Sequence, residues 1–235
     1  MLHESSSGPR AFPPDSTGLA GGPFLVVSFA DVAPHTQRAC QEFLPQLAQA
    51  GVSRVSLLLV PCCQGAESIL GRPYFGRWMR SLVEAGHEIC LHGPPHLAEA
   101  GTALCAQLGV AAAGFMPPEG PLAPEARAAL VAGGFAYAAT ASGLDLLRSG
   151  RHLPAPVVRL DAGSSWRVPD AWLRARLVYA ARRGAPVLRL AVQPCALYQP
   201  ALRQTLLTLV REALATRTAA TCGELAARAS AFQSA

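Results

Sequence analysis

The length, composition and charge of the chain favour one folded domain and argue against a nucleic-acid-binding or membrane-spanning protein. The 235 residues are 51% hydrophobic and 15% charged, which is enough for a sizeable core. The net charge of +5 comes mostly from scattered arginines, and only 6% of the residues are aromatic. Nucleic-acid-binding surfaces usually cluster basic residues and interleave them with aromatic ones. No apolar run approaches the roughly 18 residues that span a bilayer.

The N-terminal segment is rich in Ser, Gly and Pro and lacks the apolar stretch of a signal peptide. We expect residues 1–22 to form a flexible tail, residues 23–235 to form one domain, and the protein to be cytoplasmic. The seven cysteines lie in or beside apolar segments and form no CxxC pair, which is typical of free, buried thiols in a reducing compartment. We expect the neighbouring Cys62 and Cys63 to line a pocket at most.

After residue 23, apolar runs alternate with longer amphipathic stretches. The predicted strands are Phe24–Ala30, Val55–Pro61, His87–Leu91, Ala113–Met116, Phe135–Thr140, Val157–Leu160 and Val187–Val192. The predicted helices are Thr36–Ala50, one within Ser68–Ala85, Ala98–Leu108, Pro124–Ala132, Ala171–Arg183, Leu202–Ala215 and Cys222–Arg228. Repeated strand–helix units predict a parallel sheet with right-handed crossovers. About seven units suit an α/β barrel, complete or incomplete, better than a five-stranded open sheet.

Side chains that bind metals follow two of these strands. Asp31 comes directly after the first strand, and His92 and His96 follow the third strand four residues apart. In α/β folds the carboxyl ends of the strands are where sites are built. One carboxylate and two imidazoles can hold Zn, Fe, Co or Mn and leave positions open for water and substrate. Two alternatives remain. His92 and His96 could be ordinary loop histidines at this spacing, since Pro94 and Pro95 break regular helix geometry between them. Asp31 could instead cap the next helix.

The order of these motifs resembles the polysaccharide deacetylase superfamily (the NodB-homology fold), especially a divergent branch that begins with Asp-Val-Ser/Ala-Pro. The matching segments are Asp31–Pro34, Gly51–Pro61, Gly86–Gly93, Gly114–Pro118, Gly133–Tyr137 and Leu188–Pro194. The resemblance implies a distorted (β/α) barrel of seven strands. It also implies a divalent metal on Asp31, His92 and His96, with zinc expected first and Fe, Co, Mn or Ni as alternatives. The implied reaction removes an acetyl group from an N-acetylated sugar or a related amide.

Both positions that transfer protons in this family differ here. The residue before the metal-binding aspartate is normally a carboxylate that acts as general base, and here it is Ala30. The late histidine that acts as general acid corresponds to Gln193. An alanine takes no proton, and a glutamine amide does not titrate near neutral pH. Glu119 is a candidate replacement base and Asp161 a second one, while Gln193 could hydrogen-bond a carbonyl or a sugar hydroxyl.

Two function classes therefore stay open. The first, which the fold and the ligand set favour, is a metal-dependent hydrolase that acts on a glycan or small molecule, with Glu119 and Gln193 as catalytic candidates. The second is a catalytically degenerate member of the same fold that binds a metal or a ligand, or serves as a scaffold or partner. We expect Pro117, Trp166 and Arg167 to line the substrate pocket in either case.

Overall fold

The computed structural model describes residues 19, 21–61, 69, 72–118, 122–160 and 168–231, with only the backbone for residues 168–170. Most of the predicted tail, Cys62 and Cys63 therefore lie outside the described residues. Among those that are described, no helix is long and apolar enough to cross a membrane.

The described strands form one curled, mostly parallel sheet that makes a half-barrel. Its strands are β1 (Phe24–Val32), β2 (Ser56–Leu59), β3 (Glu88–His92), β4 (Gly114–Met116), β5 (Tyr137–Ala139), β6 (Gly143–Leu146), β7 (His152–Pro154), β8 (Val157–Leu160), β9 (Val187–Val192) and β10 (Thr218–Ala219). The order across the sheet is β7-β6-β5-β4-β3-β2-β1-β9-β8, and β10 pairs with β1. Every pairing from β8 through β1 to β5 is parallel, so the carboxyl ends of seven strands lie at one edge.

Helices connect the strands, and the first six of them cover the outer face of the sheet. The helices are α1 (Gln37–Gln49), α2 (Pro73–Glu84), α3 (Ala98–Leu108), α4 (Pro124–Ala132), α5 (Val168–Arg182), α6 (Pro200–Leu214) and α7 (Cys222–Ala231). Successive side chains of a strand point to opposite faces of the sheet, so one strand contributes residues to two apolar clusters. Leu25, Val27 and Phe29 of β1 belong to the cluster that contains the buried residues of α1 and α6, whereas Phe24 and Val26 face the inside of the half-barrel.

Inside the half-barrel, which we call the lumen, a smaller apolar cluster joins the sheet to α7. It includes Val26, Leu58 and Cys90 of the central strands together with Leu225 and Ala229 of α7. Because the N-terminus of α7 lies beside the first residues of β2 and β3, this helix covers the lumen at the amino ends of the strands. The carboxyl ends stay open to solvent.

The predicted α/β barrel is confirmed, and so are all seven predicted strands. The structure adds the antiparallel hairpin of β6 and β7 at one edge and the short β10. Neither was predicted, because residues 143–154 and 218–219 contain no continuous apolar run of the kind that marks a buried parallel strand. Helix ends differ from the predicted ones by a few residues, as is usual for fraying ends.

Candidate functional site at the carboxyl ends of the strands

A pocket of about 460 Å³ opens at the carboxyl ends of the parallel strands. Asp31, His92, Pro117 and Gln193 all line it, although they come from segments that are far apart in sequence. Its walls are largely apolar and come from Ala30, Leu58, Met116, Pro118, Ala139, Ala141, Val157, Leu160, Ala191 and Val192. The edge predicted from the strand pattern is therefore where the polar side chains converge.

Asp31 lies at a distortion of β1. The pairing register between β1 and β2 shifts between Phe29 and Val32, and Asp31 adopts a left-handed backbone conformation with φ of 53°. Aspartate tolerates this conformation better than most residues, and such positions are common at functional sites. The carbonyl oxygen of Asp31 accepts a hydrogen bond of 3.0 Å from the hydroxyl of Thr36. The distortion is thus held by the following turn and points the carboxylate into the pocket.

The possible role of Asp31 as a helix cap is not realised. Helix α1 has Thr36 at the N-cap position, five residues further on. The Asp31 side chain is consequently available to the pocket, where 43% of its surface is exposed.

His92 is oriented by the neighbouring strand. Its Nδ1 lies 3.0 Å from the carbonyl oxygen of Met116, and its Nε2 lies 3.8 Å from Oδ1 of Asp31. Because a carbonyl only accepts hydrogen bonds, Nδ1 is the donor, and in the neutral imidazole Nε2 keeps its lone pair. A backbone carbonyl behind one ring nitrogen is also how metal-binding histidines are usually held.

The Gln193 side chain is hydrogen-bonded to the second carboxylate oxygen of Asp31. Its Nε2 donates a hydrogen bond of 3.1 Å to Oδ2 of Asp31, and its Oε1 lies 3.9 Å from Sγ of Cys195. Ala30 lines the pocket beside Asp31 and brings only a methyl group. The two positions at which the resemblance implies proton transfer thus carry a methyl group and an amide.

The third predicted metal ligand lies apart from the other two. His96 is exposed on a short 3-10 helix, Pro95–Leu97, and does not line the pocket. In the part of the chain that the structure describes, no group of three or more His, Cys, Asp or Glu side chains could hold a metal ion. Among the described residues, the pocket therefore offers two metal-binding side chains, Asp31 and His92, and Asp31 is already hydrogen-bonded to an amide. This pair alone does not fit a three-ligand metal site.

The remaining predicted site residues divide into two groups. Pro117 lines the pocket as expected. Glu119, Asp161, Trp166 and Arg167 lie outside the described residues.

Two pocket residues were not predicted. Thr140 follows β5 and Arg159 lies in β8, and both line the pocket. The rule that located Asp31 and His92, polar side chains where parallel strands end, would have found them too. Neither is a typical metal ligand or proton-transfer residue, so a search for catalytic residue types passed over them.

A second polar group lies in the same lumen, near the amino ends of the strands. We call Ser56, Glu88, Tyr137 and Cys222 the lower cluster. Ser56 donates a hydrogen bond of 2.6 Å to Oε2 of Glu88, and Tyr137 donates one of 2.7 Å to Oε1. The backbone N–H of Cys222 donates to the hydroxyl of Ser56 over 3.1 Å. Burial raises the pKa of Glu88, against the opposing effect of these hydrogen bonds.

The lower cluster is closely packed. A Cβ atom at Gly223 would overlap Oε1 of Glu88, and one at Gly114 would overlap the Tyr137 ring. Tyr137 is fully buried, and its hydroxyl also lies 2.8 Å from Sγ of Cys90. The polar side chains of the lower cluster are hydrogen-bonded within the protein. Because the cluster is also closely packed, this part of the lumen leaves no room for a ligand.

Solved structures with similar folds identify the architecture. The chain superimposes on the chitin deacetylase from the fungal pathogen Colletotrichum lindemuthianum with a TM-score of 0.59 and 14% sequence identity, over 88% of each chain. It superimposes on a CE4 domain of a multidomain xylanase from the hindgut metagenome of Trinervitermes trinervoides with a TM-score of 0.52 and 14% identity, over 87% of this chain and 90% of that one. The chain has the CE4 polysaccharide deacetylase fold.

A third structure with the CE4 fold is a mutant of a CE4 family pseudoenzyme with restored enzymatic activity. Its TM-score is 0.56 at 12% identity, over 87% of this chain and 68% of that one. No family model and no curated protein matches the sequence. The predicted resemblance to polysaccharide deacetylases is thus confirmed in the fold, which is found both in deacetylases and in a chain described as a pseudoenzyme.

Proposed function

We propose that this chain is a catalytically degenerate member of the deacetylase fold that binds an N-acetylated sugar, or a related small amide, in the strand-end pocket. The observation that carries the proposal is the hydrogen bond from the Gln193 amide to Asp31, beside a methyl group at position 30. Where the reaction needs an acid and a base, the pocket offers an amide and an alanine. Each lost proton-transfer group typically lowers the rate by ~10²–10⁴-fold.

The same groups suit recognition of an acetamide. An acetamide needs a donor for its carbonyl oxygen, an acceptor for its N–H and an apolar surface for its methyl group. Gln193 has both a donor and an acceptor, and Asp31 is a second acceptor. Ala30, Leu58 and Met116 supply apolar surface next to them.

A second candidate function is a metal-dependent deacetylase, most simply with zinc. The orientation of His92 favours it, since Nδ1 is held by the Met116 carbonyl and Nε2 faces Asp31. This candidate requires His96 to join that pair and requires a base from elsewhere, for which Glu119 remains the proposed residue. If it holds, Glu119→Gln abolishes hydrolysis and leaves the metal content unchanged.

One set of measurements separates the two candidates. Calorimetric titration with N-acetylglucosamine and with an N-acetylated chitin oligomer measures binding, an acetate assay measures turnover, and elemental analysis measures metal in the same samples. We expect binding without acetate release from the wild type. The double variant His92→Ala, His96→Ala is the matched test of the metal ligands.

Acetate release by the wild type, abolished in the histidine double variant together with its metal, would replace our proposal with the second candidate. Failure of all N-acetylated probes to bind would contradict both. A further variant, Gln193→Ala, removes one hydrogen-bonding side chain. It should weaken binding by ~2–10-fold, because one such bond contributes about 0.5–1.5 kcal/mol.

A further inference from the structure

The pocket has an uneven distribution of charge. Asp31 is the one carboxylate among the described lining residues, and it lies at the end of β1 beside His92. Arg159 lines the opposite part of the pocket on β8. In the sheet, β9 separates β8 from β1, so the two charged side chains arise two strand spacings apart. That spacing corresponds to about 10 Å across the sheet, since neighbouring strands lie ~4.8 Å apart. Arg159 is level with Ser28 of β1, so Asp31 also lies three residues, or about 10 Å, further along the strands, a distance that the long arginine side chain can partly cover.

A second guanidinium lies below Arg159 inside the lumen, because Arg189 pairs with Val26 of β1 and faces the same side of the sheet. Arg189 of β9 is 1% exposed and donates to the carbonyl oxygens of Ala155, over 2.7 Å, and Thr140. No ion pair among the described residues joins it to a carboxylate. Burial lowers the pKa of Arg189, and the nearby charge of Arg159 acts in the same direction. Arginine nevertheless stays protonated in proteins, so Arg189 adds a buried positive charge below the pocket.

Charge in a partly enclosed pocket acts more strongly than the same charge on an open surface. Arg159 presents a planar fork of N–H donors that suits a carboxylate or a phosphate. Asp31 and Gln193 at the other side suit an amide. A ligand that satisfies both sides therefore carries an acetamide and an anionic group on one small sugar or sugar-like frame.

We propose that the pocket selects anionic N-acetylated ligands, and that Arg159 is the specificity-determining residue that binds their carboxylate or phosphate. This inference rests on the proposed function, since it assigns a ligand class to the same pocket. It concerns binding and invokes no chemical step.

Three probes with the same acetamide test the inference by calorimetric titration. N-acetylglucosamine is neutral, N-acetylglucosamine 6-phosphate carries a phosphate, and N-acetylmuramic acid carries a carboxylate. We expect at least one anionic probe to bind about 10-fold or more tightly than the neutral one, as a charge-assisted hydrogen bond allows. Preference for one of the two anionic probes identifies the anion. The preference should also weaken as salt is added.

Three variants of the full chain test which residue causes the preference for anionic probes. Arg159→Gln should remove the preference for the anionic probes, and Arg159→Lys should restore part of that preference. Arg148→Gln is the matched control, because Arg148 is an exposed arginine that does not line the pocket. It makes the same change in net charge and should keep the preference. Thermal unfolding of each variant checks that the fold is intact.

The outcomes are distinct. Equal binding of all three probes would overturn the selection of anions and leave the proposed function standing. Equal loss of preference in Arg159→Gln and Arg148→Gln would attribute the effect to net charge and overturn the role of Arg159. If no probe binds, the proposed function fails and this inference fails with it.

Discussion

The lumen contains two polar regions on the same strands, and they differ in how fully their groups are satisfied. The lower cluster surrounds Glu88 with donors from Ser56 and Tyr137. The strand-end pocket with Asp31, His92 and Gln193, which forms the upper site, leaves Asp31 with one amide partner and an imidazole at 3.8 Å. Glu88 and His92 belong to the same strand, β3, only four residues apart. Polar groups that are fully paired stabilise the fold, whereas incompletely paired groups facing an open pocket are available to a ligand.

This comparison predicts that changes in the lower cluster affect stability and that changes in the upper site affect binding. The largest effect should come from Tyr137→Ala, because the side chain is fully buried and bonds to both Glu88 and Cys90. Removing a buried aromatic side chain costs about 3–5 kcal/mol. Tyr137→Phe, which removes only the hydroxyl, should cost about 1–3 kcal/mol. Denaturant unfolding measures both values.

The matched upper-site variant for that experiment is His92→Ala. It should change the free energy of unfolding by less than about 1 kcal/mol, because His92 is partly exposed and makes one side-chain hydrogen bond, to a backbone carbonyl. A loss as large as that of Tyr137→Ala would show that the upper site is also structural, and the comparison would fail.

A smaller loss of stability is expected for Gly114→Ala. The added Cβ atom would overlap the Tyr137 ring, and forcing an extra methyl group into a packed interior costs about 1–3 kcal/mol. Gly184→Ala is the control, since no atom lies within 4 Å of a Cβ atom at that position. Similar unfolding midpoints for the two variants would mean that the lower cluster is looser than described.

The pH dependence of stability should depend on Glu88. Its pKa in the folded chain is raised above the ordinary value of 4.5. Between pH 4.5 and the raised value, the folded chain keeps a proton that the unfolded chain has lost. Stability therefore falls as pH rises through that window. Glu88→Gln should remove this part of the slope, which denaturant unfolding at a series of pH values measures. An identical slope in both proteins would contradict the burial of this carboxyl group.

The smallest expected effect is a difference in thiol reactivity between the two regions. Cys195, beside Gln193, is exposed, whereas Cys90 and Cys222 are buried in the lumen. Burial also raises the pKa of Cys222 to about 11, which disfavours the reactive thiolate. Mass spectrometry after brief labelling of the native chain should find Cys195 modified and the other two protected. Early modification of Cys90 would show that solvent reaches the lower cluster.

The sequence predicted the parallel strands because the apolar runs that form a buried parallel sheet are continuous and regularly spaced. It predicted that Asp31, His92 and Gln193 would meet, because the carboxyl ends of parallel strands share one edge. It did not predict that His96 would lie outside the pocket. The two prolines between the histidines exclude a regular helix there, and His96 is exposed on a 3-10 turn.

The lower cluster could not be predicted from the chain alone. Ser56, Glu88, Tyr137 and Cys222 are 32 to 166 residues apart in the contacts that join them. Their proximity depends on the register of the strands and on the place where α7 covers the lumen. Those features follow from packing of the whole half-barrel and not from local pattern.

The most direct test of the account is one NMR experiment on the full chain with N-acetylglucosamine 6-phosphate. Backbone amide shifts locate the ligand, and the methyl signal of free acetate reports hydrolysis in the same tube. The account predicts shift changes at Thr140, Ala191 and Gln193, none at Ser56 or Glu88, and no acetate signal over a day. Shift changes centred on the lower cluster, or a growing acetate signal, would contradict it.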